Sequence, residues 1–194
     1  MNSFLATLPN RKFSVEDYHR FIEKGVFEPE QRLELWEGEF VEMSPIGRRH
    51  AGCVDALTEI LIGQLRGEVI VRSQNPIILN DFSEPLPDLS LLKRRADFYR
   101  NINATAKDVL LVIEVADTTS KYDRGVKFPK YSASGIPESW LVDLESDRVE
   151  IHSGPTASGY SFVKIIQRGE RAESTVIHGL GIAVDAILGD PSAR

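Results

Sequence analysis

Three side chains in this sequence have the types and spacing to hold a hard cation and act on a phosphate ester: Asp88, Glu114 and Lys127. Asp88 follows Pro87 at the head of the apolar run Leu89-Ser90-Leu91-Leu92. Glu114 interrupts a longer run, Val109-Leu110-Leu111-Val112-Ile113-Glu114-Val115, whose composition suits a strand buried on both faces. A carboxylate in such a strand costs several kcal/mol or more unless it is paired or bound to a cation. Two carboxylates from neighbouring strands, with the Val115 carbonyl as third ligand, are enough for magnesium, which takes oxygen ligands and keeps several waters. A lysine ammonium on the following segment could then orient a water or stabilise charge on a phosphorane-like transition state. Together these groups suit metal-assisted phosphodiester hydrolysis.

Each of these residues also has a plainer reading. Asp88 could be a solvated turn residue, Glu114 could pair with a core arginine, and Lys127 could snorkel from an amphipathic helix. Asp123 matches a capping box with Ser120, yet Asp123, Lys127 and Tyr131 are spaced four apart and share one helical face. His50 reads as a cap or surface residue more readily than as a base. Cys53, Trp36 and Trp140 read as core. The four histidines lack zinc-ligand spacing.

The elements that must carry these groups are legible as periodic segments. Phe13 to Lys24 reads as a helix capped by Ser14 with Asp17 three residues on, and Gly25 stops it. Leu33–Trp36 and Glu39–Met43 flank a tight Glu37-Gly38 turn as a hairpin. Arg48 to Leu65 carries Val54, Leu57, Ile60, Leu61 and Leu65 at helical spacing. Short strands are expected at Val69–Val71, Pro76–Leu79 and Pro87–Leu92, the last two separated by a polar loop from Asn80. Lys93 to Lys107 is irregular. After the buried strand comes a helix in which Pro129 predicts a kink or an early end. A strand from Ser139 to Asp143 follows. Arg148–His152 and Tyr160–Ile166 then form a hairpin around a Gly/Pro/Ser turn. Ala183–Leu188 reads as a last short helix, and Asp190 to Arg194 as a frayed end. The pattern predicts one domain over residues 1–194, of mixed α/β (α+β) class, with helices packed on a central sheet.

Bulk properties narrow the classes. The chain has 194 residues, 42% hydrophobic and 27% charged, which is ordinary for a globular protein. No apolar run approaches the roughly 20 residues that span a bilayer, and the N-terminus does not read as a signal peptide. The single cysteine excludes an internal disulfide. Cytoplasm is the expected location. The net charge of −6 argues against a general nucleic-acid coat protein. That charge is uneven. Residues 93–130 hold nine Lys/Arg and five Asp/Glu, a net of +4, so the remainder carries −10.

The combined pattern resembles a known family. Pro87-Asp88, Ile113-Glu114-Val115, Tyr122-Asp123-Arg124 with Lys127 and Tyr131, and Gly135-Ile136-Pro137-Glu138 with Trp140 and Asp143 are similar to the Uma-two restriction-endonuclease family, within the PD-(D/E)XK nuclease superfamily. Leu33-Glu34-Leu35 through Gly38-Glu39, Met43-Ser44-Pro45, His50 and His178-Gly179-Leu180 extend the resemblance over nearly the whole chain. It implies a restriction-endonuclease-like central mixed sheet flanked by helices. It also implies Asp88 and Glu114 as magnesium ligands, Lys127 as the catalytic lysine and Glu34 as an accessory carboxylate. One departure matters. The superfamily's usual lysine stands two residues after the glutamate, and here that position is Ala116. The aromatic common between Glu138 and Trp140 is replaced by Ser139.

Two function classes follow. The first is a magnesium-dependent endonuclease acting on DNA, with manganese as a substitute ion and a symmetric dimer suited to cutting two strands. The second is a nuclease-like domain without turnover that binds DNA or protein, motivated by Ala116 and the acidic total charge. A third, weaker reading is a structural α/β protein whose carboxylates are paired internally.

Overall fold

The structure is a computed structural model that describes residues 12–28 and 31–189. The expectations for the extreme N-terminus and for Asp190 to Arg194 lie outside the described residues. The chain begins with α1 (Val15–Glu23), whose Ser14 cap and Asp17 form the expected capping box. Then come the hairpin β1 (Leu33–Trp36) and β2 (Glu39–Glu42), the long helix α2 (Arg48–Leu65) and β3 (Val69–Ser73). The centre is β4 (Leu89–Lys93), β5 (Val109–Ala116), a helical crossover and β6 (Glu138–Asp143). The crossover consists of α3 (Ser120–Tyr122), one π turn (Asp123–Lys127) and α4 (Phe128–Ala133). The chain closes with β7 (Arg148–Thr156), β8 (Gly159–Gln167), β9 (Arg171–Glu173), β10 (Gly181–Ala183) and α5 (Val184–Leu188).

Six strands form the main sheet in the order β3-β4-β5-β6-β7-β8. Among the described strands of this sheet, only β5 and β6 run parallel, as the helical crossover between them requires. The sheet is buried on both faces. Leu89, Leu91, Leu111, Ile113, Val115, Trp140 and Val142 pack under α2 and α5 with Leu57, Leu61, Leu65 and Ile187. Val112, Ala116 and Leu141 pack on the other side with Phe128, Tyr131 and Ile136. Burial on both faces is why the β5 segment is apolar at nearly every position. Glu114 shares a face with Val112 and Ala116, so the alternation aims it at the crossover helices. At the outer edge, β8 leaves Phe162, Val163 and Ile165 exposed.

Two expectations need correction. Pro76–Leu79 is not a strand. Pro76 has no amide hydrogen, and the next three amides go to Pro85, Ala104 and Ser83, so no single partner can build a ladder. The expected hairpin of Arg148–His152 and Tyr160–Ile166 forms, with both strands longer than expected, so that its turn narrows to Ala157-Ser158. Pro155 is tolerated inside β7 because β6 pairs only as far as Ser153, which leaves the proline on a free edge. Ser120 does not cap Asp123. Thr119 precedes the helix, and its hydroxyl donates to Asp123 Oδ2 at 2.8 Å. The small β9–β10 ladder was not anticipated.

Pro129 leaves its mark before its own position. The Phe128 amide reaches back five residues to the Asp123 carbonyl, which widens the turn ahead of the proline. Regular helix then resumes with Pro129 near its start, where a missing amide hydrogen costs least. Arg124, inside this π turn, clamps it to the sheet. It donates to both Glu150 oxygens at 2.9 Å and also to Asp143. Burial would raise the Glu150 pKa, but hydrogen bonds from His152, Arg124 and Arg148 hold it down at about 2.

Candidate active site

The strand register brings the carboxylates together. Leu89 pairs with Ile113 in the antiparallel β4–β5 ladder, so one further step sets Asp88 opposite Glu114 on the same face. The Val115 amide donates to Asp88 Oδ2 at 2.9 Å. The amide and carbonyl of one strand residue point to the same neighbour, so the Val115 carbonyl also faces the Asp88 end of β4. Asp88 and Glu114 are both buried, and both line a cleft of about 390 Å³.

Lys127 enters the same cleft from the π turn. Its side chain is only 9% exposed, and Nζ lies 3.3 Å from Glu114 Oε1, 3.4 Å from Glu34 Oε1 and 4.0 Å from Asp123 Oδ1. The position that lysine usually takes in the wider superfamily, Ala116, is fully buried in the core beneath α4. Tyr131, one turn further on, donates its hydroxyl to Glu114 Oε1 at 2.6 Å. Among the described residues, neither Asp88 nor Glu114 is bound to an arginine.

The hairpin supplies Glu34. One oxygen accepts from the Leu86 amide at 2.9 Å and the other from the Trp36 indole at 3.0 Å. These bonds fix Glu34 as a wall against which Lys127 is held. His50, from the first turn of α2, sits 3.0 Å from Asp88 Oδ2, and its buried Nδ1 has no partner among the described residues. The hydrogen bond to Asp88 outweighs burial and raises the His50 pKa. Gln74 was not found by sequence reasoning. Its side-chain amide lies 3.4 Å from Asp88 Oδ1, and its backbone takes a left-handed φ of 51° just past β3. A lone glutamine at a strand end carries no periodic or motif signal that could have singled it out.

The charges do not balance. Among the described residues, four buried carboxylates, Glu34, Asp88, Glu114 and Asp123, face one buried ammonium, that of Lys127. Burial pushes Glu114 up to about 8, and Lys127 offsets only part of that. Burial raises Asp123 as well. For Lys127, burial acts downward, yet the surrounding carboxylates together carry its pKa upward, so it stays protonated. Excess negative charge on hard oxygen donors is the environment a divalent cation relieves. Among the described residues no set of three or more His, Cys, Asp and Glu side chains is grouped as a metal cluster. A cation between Asp88 and Glu114 would therefore complete its shell with backbone oxygen and water.

A mixed sheet with carboxylates paired across β4 and β5, flanked by helices, defines a nuclease-like α/β domain. The chain belongs to the Uma2 family, described as "Putative restriction endonuclease", whose model matches residues 15–185. The fold is also that of a crystal structure described as "a putative nuclease belonging to DUF820 from Anabaena variabilis ATCC 29413". The TM-score is 0.69 at 12% identity, covering 91% of this chain and 97% of that one. A search of curated proteins gave no match. Among the described residues, no helix is long and apolar enough to cross a membrane.

Proposed function

We propose that this chain is a divalent-metal-dependent endonuclease that hydrolyses DNA phosphodiester bonds in the β4–β5 cleft. The observation that carries the reading is the Lys127 ammonium, buried against Glu114 at the mouth of the carboxylate pair. Asp88, Glu114 and the Val115 carbonyl would hold the cation, Mg²⁺ or Mn²⁺. When bound, such an ion lowers the pKa of its water and neutralises phosphate charge. The rest of the work falls to the chain. His50 and Gln74 hold the Asp88 carboxylate in one orientation. Tyr131 does the same for Glu114. Lys127 is too firmly protonated to take a proton from water, so the proton of the attacking water passes to bulk solvent and the leaving oxygen takes one from solvent. The role of Lys127 is to donate a hydrogen bond to the attacking oxygen and to offset charge growing on the phosphate as the P–O bond to the leaving group breaks. Glu34 and Asp123 keep the ammonium charged and aimed.

Metal binding is then linked to a proton. Glu114 carries its proton up to about pH 8 without the ion, and a ligand carboxylate must give it up. The affinity for Mn²⁺ should therefore rise with pH until about 8 and then level off. Calorimetric titration in buffers of different ionisation enthalpy should find nearly one proton released per ion at pH 6 to 7, and almost none above pH 9. No heat in wild-type protein at any pH rules out the enzyme reading and leaves a nuclease-like binding module.

A further inference from the structure

The cleft that would cut DNA is poorly suited to hold it. Its lining carries Glu34, Glu42, Asp88, Glu114, Asp117 and Asp123 against few cations. Double-stranded DNA is bound mainly through phosphates neutralised by Lys and Arg, so those cations must stand elsewhere.

The connection between β4 and β5, residues 93–108, has them. It is a built platform rather than a slack loop. The buried Tyr99 donates its hydroxyl to the Lys93 carbonyl at 2.9 Å, and Lys93 Nζ donates to the Lys107 carbonyl at 2.6 Å. Phe98 and Tyr99 take successive left-handed conformations, φ 52° and 57°, which turn Phe98 outward. Both carboxylates of the segment are engaged inside it. Asp97 accepts from Arg95, and Asp108 accepts from the Thr105 amide and hydroxyl. Arg94, Arg100 and Lys107 are exposed and have no ion-pair partner among the described residues. The Arg94 guanidinium lies 4.4 Å from the centre of the exposed Phe98 ring. This arrangement presents one planar cation on an aromatic face, in a segment that carries two further exposed cations.

We infer that residues 93–108 form a phosphate-backbone docking surface for DNA, separate from the cleft. Arg94, Arg100 and Lys107 neutralise phosphates, and Phe98 supplies an apolar contact beside Arg94. The distance fits one DNA molecule. Asp88 and Lys93 are five residues apart along a strand, about 17 Å at a rise of ~3.4 Å per residue. That equals roughly five base steps. The inference rests on the nuclease reading for the identity of the polyanion, not for the surface itself.

The test is binding of a fluorescent DNA duplex, followed by anisotropy in EDTA so that no cleavage occurs. The triple variant Arg94→Ser, Arg100→Ser, Lys107→Ser should bind about tenfold or more weakly near 0.1 M salt. The slope of log affinity against log salt should shrink by about 2 to 3, the loss of three phosphate contacts. A control of equal charge loss on other surfaces, Lys24→Ser, Arg66→Ser, Lys164→Ser, should keep the wild-type slope. Unchanged affinity and slope in the loop variant overturns the inference, as does an equal effect in the control. Manganese titration separates this outcome from the enzyme reading. The loop variant should still bind Mn²⁺ like wild type, whereas failure of the cleft reading shows as absent Mn²⁺ binding in wild type itself.

Discussion

Lys127→Met should cut metal-dependent DNA cleavage by about a hundredfold to a thousandfold, the usual cost of removing one preorganised charge at the reacting centre. It should also destabilise the fold. Methionine fills the volume but leaves Glu34, Glu114 and Asp123 buried without their shared cation. Breaking a buried ion pair from one side costs about 3–5 kcal/mol. The loss should be smaller at low pH, where the stranded carboxylates can take up protons, and larger at high pH. Urea unfolding at several pH values measures this. A purely structural lysine predicts a different pair of results: the same loss of stability, with cleavage reduced only by the fraction unfolded. Cleavage measured where circular dichroism shows the variant folded separates the two.

Glu114→Gln should move stability and activity in opposite directions. Burial raises the Glu114 pKa from 4.5 to about 8 in the folded chain. The folded state therefore holds this proton more tightly than the unfolded one. The stability it confers is full below pH 4.5 and is lost as pH rises to about 8. Above pH 8 the metal-free wild type carries a buried, underpaired carboxylate, and glutamine removes it. The Gln oxygen can still accept from Tyr131 and Lys127, as Glu114 Oε1 does. Metal-free Glu114→Gln should thus be more stable than wild type at pH 9, on the order of a few kcal/mol, and equal to it near pH 4. It should bind no Mn²⁺ and show no metal-dependent cleavage. Equal stability at pH 9 would mean that Lys127 fully balances Glu114 and that the site is an ion pair rather than a vacancy for a cation.

Much of this site was legible because its parts sit at fixed steps in regular elements. Glu114 stood out as the one charge in a strand apolar on both faces. Asp88 was legible as the residue that leads into its neighbour. Lys127, Asp123 and Tyr131 followed from helical spacing, even though the segment holds a π turn that spacing alone does not reveal. The π turn was signalled indirectly by Pro129, which cannot donate the hydrogen bond that a regular turn needs there. The parts that escaped notice depend on tertiary approach. Gln74 meets Asp88 only because β3 pairs with β4. His50 was visible at the head of α2, but its partner was not. The structural carboxylates Asp143 and Glu150 and their clamp on Arg124 could be seen only once β6 and β7 were adjacent. The error over Pro76–Leu79 has a similar origin. Its apolar residues are buried or partly buried, yet their amides are divided between two separate loops.

The metal site is tested most sharply by anomalous diffraction at the manganese edge from crystals soaked in Mn²⁺. One peak is expected between Asp88 and Glu114, at about 2.0–2.2 Å from carboxylate oxygens and from the Val115 carbonyl, with the Lys127 ammonium still turned toward it. A peak elsewhere with this pocket empty, or a Lys127 side chain swung out to solvent when the ion binds, would contradict the proposed site.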